Sequence, residues 1–209
     1  TNTMSVKVRL TIMNFLQFFI WGAWMITIAN YWFGTKGWRS EDFGIIFSTM
    51  GIASIFMPTI CGIVADRWIN TERLYGILHL LCGLTFISLP MVEDPVSFFW
   101  VILLAMIFYM PTLALSNSVA YSVLKKSNLD TVTNFPPIRG TVGFIAAMWL
   151  TNLTGNKASE NQFYIAGVTA VCLGIYAFSL PKSPPQNTTS NKGKKLSEIL
   201  GLDAFKLFK

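Results

Sequence analysis

Asn14, Gln17, Trp21 and Trp24 recur at spacings of three, four and three inside a run that is otherwise apolar. On a helix these four residues share one stripe. Amide and indole N–H groups can hydrogen-bond a polar ligand, and indole faces can stack on an aromatic one, so the stripe suits the wall of a substrate path. The alternative is structural: the amides bond neighbouring helices and the tryptophans form a packing face or an interfacial belt. Asn117 and Tyr121, one turn apart, make a second polar set with Thr112 and Ser116 nearby and Pro111 placed to bend a helix. Interhelical hydrogen bonding is again the competing role. Arg139 follows Phe135-Pro136-Pro137-Ile138 and opens a run without further charge. Its planar donor fork could meet a polar ligand, or its head could snorkel to a membrane surface. His79 is the only histidine and lies mid-run, either packed and hydrogen-bonded or a proton relay. No H-E-x-x-H, G-x-S-x-G or phosphate-loop pattern occurs, so the residues point to binding rather than to an enzyme, and no metal-ligand set is found.

These residues need elements to hold them. Of the 209 residues 53% are apolar and only 12% charged, where a soluble domain carries roughly a quarter charged residues. A membrane span takes about 20 mostly apolar residues. Six such runs succeed one another, at 8–33, 41–65, 71–92, 95–124, 135–153 and 161–180, predicting an all-α integral membrane bundle of six transmembrane helices. With the N-terminus in the cytoplasm, 13 basic residues fall inside and Lys36, Arg39 and Lys157 outside, as the positive-inside rule requires. The net charge of +6 therefore reads as topology, not as a nucleic-acid surface. Both ends are expected in the cytoplasm, and no cleavable signal peptide is expected.

Residues 1–181 read as the membrane bundle and 182–209 as a cytoplasmic linker, rich first in proline, then in Asn, Thr and Ser, then in lysine. Leu196, Ile199, Leu200, Phe205 and Phe208 alternate with charges in a pattern that suits a short surface helix. Gly51, Ser54, Pro58 and Gly62 in the second run, and Gly140 and Gly143 in the fifth, would permit close helix approach. Cys61, Cys82 and Cys172 are expected to be reduced, buried and structural.

After the second run the sequence reads Gly62-Ile-Val-Ala-Asp66-Arg67, which resembles the front of the G-x-x-x-D-[R/K] signature of the major facilitator superfamily. The end of that signature is replaced by Trp68-Ile69-Asn70. Asn14-Phe-Leu-Gln-Phe, Trp21-Gly-Ala-Trp, Phe56-Met-Pro, Tyr109-Met-Pro-Thr-Leu, Asn134-Phe-Pro-Pro-Ile-Arg, Gly140-Thr-Val-Gly-Phe and Gly201-Leu-Asp-Ala-Phe, in this order along nearly the whole chain, resemble the bacterial nucleoside:proton symporters.

That resemblance implies the N-terminal half of a twelve-helix secondary transporter of a bacterial inner membrane, importing nucleosides by proton symport. Its partners would be a nucleoside, the lipid bilayer and the C-terminal six-helix half, with no nucleic acid and no cofactor beyond the coupling proton. It also implies that Arg139 and Thr141 hydrogen-bond the nucleoside and Phe144 stacks on it, with Gly62, Asp66 and Arg67 at the cytoplasmic gate. Gln17, Trp21 and Asn117 join the substrate-binding set because of their places in the two polar stripes. The coupling acid is expected in the other half, because these runs carry no mid-span Asp or Glu. The family pattern has two residues between the arginine and the Gly-Thr, whereas here Arg139 abuts Gly140, which turns all residues beyond Arg139 by about 200° around a helix. Either the site is altered or the chain is two residues short there, and the brevity of the run from Gly140 to Leu153 favours the second. The rival readings are a major facilitator transporter of another polar solute, such as a sugar, and a membrane scaffold subunit without substrate.

Overall fold

A chain in lipid must satisfy its backbone hydrogen bonds within itself, and long apolar helices do so segment by segment. In the computed structural model, which describes residues 3–134 and 137–185, six helices account for the six apolar runs. They are α1 (Thr3–Gly22), α2 (Ser40–Arg67), α3 (Thr71–Ser88), α4 (Pro95–Lys126), α5 (Pro137–Leu153) and α6 (Asn161–Ala177). Side chains at 3, 4, 132 and 137–140, and everything expected of residues 186–209, lie outside the described residues. Three helices, Ser40–Arg67, Thr71–Met91 and Pro95–Lys126, are long and apolar enough to cross a membrane on that measure alone. Asp94 caps α4 by accepting from the Ser97 N–H at 2.8 Å, which holds its carboxyl below the usual carboxylate range.

The first run departs from its expected single helix. Regular structure ends at Gly22, residues 23–27 form turns, and a wide turn over Tyr31–Lys36 comes after the short segment Ile28–Asn30. Side-chain bonds from neighbouring helices hold the segment at the break: the Thr151 hydroxyl on α5 donates to the Ala23 backbone carbonyl at 3.2 Å, and the Thr27 hydroxyl donates to the side-chain Oε1 of Gln162 on α6 at 3.0 Å. Beyond the break, Tyr31, Trp32, Trp38, Phe98 and Phe163 pack ring against ring, with Tyr31 and Phe163 edge-on at 5.0 Å.

Glycines decide which helices lie closest. A Cβ on Gly76 of α3 would stand 2.9 Å from the Gly174 carbonyl of α6, and one on Gly83 would stand 2.7 Å from that of Gly167. Both pairs are two turns apart on antiparallel helices, so the two backbones touch along one line. Between α1 and α5, a Cβ on Gly22 would fall 2.2 Å from the Phe144 carbonyl and one on Gly143 the same distance from that of Phe15. The expected close approach of the second run is not found: Gly51 and Gly62 face open space among the described residues, and α2 packs mainly on α4. Only 17% of α2's apolar stretch is buried, against 50% for α3 and α4. One cysteine also corrects the sequence reading, because Cys172 lies on the outer face of α6 while Cys61 and Cys82 are buried; all three are free.

The segment after α6 is tied to the start of α3. Glu72, 2% exposed, accepts from the Ser183 N–H at 2.8 Å and from Asn70 Nδ2 at 3.2 Å, while the Thr71 N–H donates to the Ser183 carbonyl at 3.0 Å. Replacing Glu72 by Ala removes about 1–1.5 kcal/mol of hydrogen bonding, and tryptic cleavage after Lys182 should accelerate about five- to tenfold. The close crossings make a second expectation. Gly143→Ala forces α1 and α5 apart at a carbonyl that cannot yield, costing about 2–3 kcal/mol, whereas Gly51→Ala should stay within about 0.5 kcal/mol. The heat-aggregation midpoint in detergent extract measures both.

Candidate functional site

A glutamine at membrane depth must find its partners on neighbouring helices. Gln17 of α1 is fully buried, its Nε2 donating to Thr112 Oγ1 on α4 at 2.9 Å. Its Oε1 accepts from the Tyr75 hydroxyl at 2.6 Å and faces His79 Nε2 at 2.7 Å, both on α3. Its backbone carbonyl accepts from the Tyr109 hydroxyl on α4 at 2.6 Å. Three helices thus meet on one residue. Gln17, expected in the substrate-binding set, has its side chain taken up within the bundle, so it does not line an open wall in this conformation. Stripe spacing could not reveal this, because Tyr75 and His79 come from another helix.

Trp24 leaves the stripe as well. It lies beyond the break after Gly22, is 1% exposed and packs against Phe86 at 5.5 Å. Asn14 is buried, and its Nδ2 has no hydrogen-bond partner among the described residues.

Trp21 remains half-buried at the edge of this core. Its ring lies 6.0 Å from Tyr109 and 6.2 Å, edge-on at 81°, from Phe144 of α5. The glycine contact between Gly22 and the Phe144 backbone brings these two rings together, so the structure joins two of the expected site residues. Thr141, three residues before Phe144 and on the same side of α5, is exposed. Asn117 is exposed on α4. Arg139 belongs to α5 by its backbone, and its side chain lies outside the described residues.

The residues expected at the gate sit at the end of the bundle where α1 begins. Asp66 is exposed, and Gly62 and Arg67 are partly buried on the last turns of α2. Asp66 lines an open cavity of 1030 Å³ together with Tyr121, Ser122, Lys125, Lys126 and Asp130. Tyr121, from the second polar set, therefore belongs with Asp66 at this end of the molecule rather than with Trp21 and Phe144. Length and apolarity could not have shown this cavity, because it forms where α2, α3, α4 and the segment after α6 diverge.

Comparison with known proteins agrees with this architecture. The model of the family described as nucleoside H+ symporter matches residues 4–209. The chain is 46% identical over 208 residues to the xanthosine permease of Escherichia coli (strain K12) and 40% identical to the nucleoside permease NupG of the same organism. Each match covers 99% of this chain and 49% of the relative, so the chain spans about half the length of these relatives. The crystal structure of the nucleoside transporter NupG superposes with a TM-score of 0.85 at 38% identity, covering 97% of this chain and 50% of that one; a variant of it reaches 0.89 at 39%. The six helices are the N-terminal half of a major facilitator fold, and the chain belongs to the nucleoside H+ symporter family.

Proposed function

We propose that this chain is one half of a proton-coupled nucleoside importer in a bacterial inner membrane, working by alternating access with a second six-helix half. Its family membership supports this, as does its coverage of half of relatives named as permeases. The observation that carries the site is the junction of Trp21 with Phe144 at the α1–α5 contact, beside the exposed hydroxyl of Thr141. A nucleoside presents ribose hydroxyls, a polar base edge and an aromatic face, and such a wall supplies a counterpart to each. In this reading Arg139 and Thr141 hydrogen-bond the nucleoside, Phe144 stacks on its base, and Trp21 and Asn117 complete the wall. Gly62, Asp66 and Arg67 meet the other half at the gate, on the cytoplasmic side with both chain ends. The coupling proton binds in the other half, since no Asp or Glu stands mid-span here.

The test is uptake of labelled uridine, adenosine and xanthosine by cells producing the full-length transporter. Uptake should collapse with an uncoupler and in Arg139→Ala. Phe144→Ala should raise KM about tenfold, the equivalent of about 1.4 kcal/mol of lost stacking. No uptake from a correctly inserted protein would send the substrate assignment back to another polar solute or to a scaffold. The six helices alone should fold poorly, because the face that meets the other half would be left bare; a monodisperse, heat-stable six-helix protein in detergent would contradict this.

A further inference from the structure

The hydrogen bonds around Gln17 determine one another. The Thr112 hydroxyl has a single proton and donates it to the Tyr109 carbonyl of its own helix. Towards Gln17 it is therefore an acceptor, and the amide must present N–H there, as the 2.9 Å contact has it. Gln17 Oε1 is then turned to Tyr75 and His79, and an amide oxygen only accepts. His79 must consequently carry its proton on Nε2.

The other ring nitrogen stands apart. His79 is fully buried, and its Nδ1 has no hydrogen-bond partner among the described residues. The titratable side chains in ring contact with it are two phenols, Tyr75 on its own helix at 4.6 Å and Tyr109 on α4 at 6.1 Å; α1 contributes the uncharged Gln17. A second proton on Nδ1 would create a buried cation that none of these groups neutralises.

The cluster also reaches the proposed substrate wall. Gln17 stands one helical turn before Trp21, and Tyr109, which donates to the Gln17 carbonyl, is also the ring against which Trp21 rests. Regular structure in α1 ends one residue past Trp21, so this is the last turn on which the bundle can set the rotation of α1. We infer that Gln17 and His79 are positioning residues: neutral His79 donates one hydrogen bond to Gln17, and the clamp so formed fixes α1 and the Tyr109 ring, and through them the pose of Trp21 against the nucleoside. The inference rests on the proposed nucleoside site. It also excludes His79 as the carrier of the coupled proton.

The test uses the full-length transporter with three variants. His79→Leu deletes the donor, His79→Gln restores an N–H at nearly the same reach, and Tyr75→Phe removes the neighbouring donor while keeping the ring. His79→Leu and Tyr75→Phe should each raise the nucleoside KM about tenfold, with maximal rate and external pH profile unchanged, and His79→Gln should return KM to within about threefold of the parent. In ¹⁵N spectra, the imidazole signals that vanish in His79→Gln should report a proton on Nε2 and none on Nδ1 from about pH 5 to pH 8. Unchanged KM in both donor-deleting variants would overturn the clamp. Titration of the imidazole in that range, or loss of uphill accumulation in His79→Gln with downhill exchange intact, would make His79 a proton carrier instead. Should the parent take up no nucleoside, the proposed function fails; the ¹⁵N measurement still tests the hydrogen-bond pattern without it.

Discussion

Lipid has no hydrogen bonds to offer, and this constraint bears on the polar groups carried by the described helices. Backbone groups are satisfied within helices, and where α1 breaks after Gly22, Thr151 and the Thr27–Gln162 pair serve the loosened segment. Side chains obey the same demand. Gln17 is tolerated at membrane depth because α3 and α4 each supply groups to it, so that one residue ties three helices.

Hydrogen bonds orient the helices, but contact between them comes from removing side chains. Hydrophobic burial gains little inside a hydrocarbon solvent, so close packing and polar contacts carry association. The reciprocal pairs Gly76–Gly174 and Gly83–Gly167 bring the α3 and α6 backbones together, and Gly22 and Gly143 do so for α1 and α5. The second contact also brings Phe144 to Trp21, the junction on which the proposed site is built. The proposed site would thus inherit its geometry from packing: a glycine contact sets the distance between two rings, and in our inference a buried glutamine sets the rotation of one of them. α2, by contrast, is lightly buried and free of such contacts, which suits a helix whose other surfaces meet lipid or a second half.

Several features were readable along the chain. Five of the six apolar runs end within about four residues of the observed helices, because run length and flanking charge are one-dimensional properties on which lipid acts directly. That Gln17 and His79 at membrane depth must find polar partners was readable as well, since residue type alone sets that demand, while which partners they find was not. The family motifs were legible too, and they pointed to Phe144 and Thr141.

Facing, by contrast, was hidden from the sequence. Asn14, Gln17, Trp21 and Trp24 form one stripe on an ideal helix, yet Gln17 is consumed by the core, Trp24 turns away beyond a break and only Trp21 stays at the edge. Gly51 and Gly62 carry the same small-residue signal as Gly76 and Gly83, but only the latter meet a partner. The sequence by itself determined which segments cross the membrane and which chemistry they carry. Tertiary structure alone decided which of those residues meet, because rotation and pairing of helices depend on contacts between segments dozens of residues apart, and no local spacing encodes them.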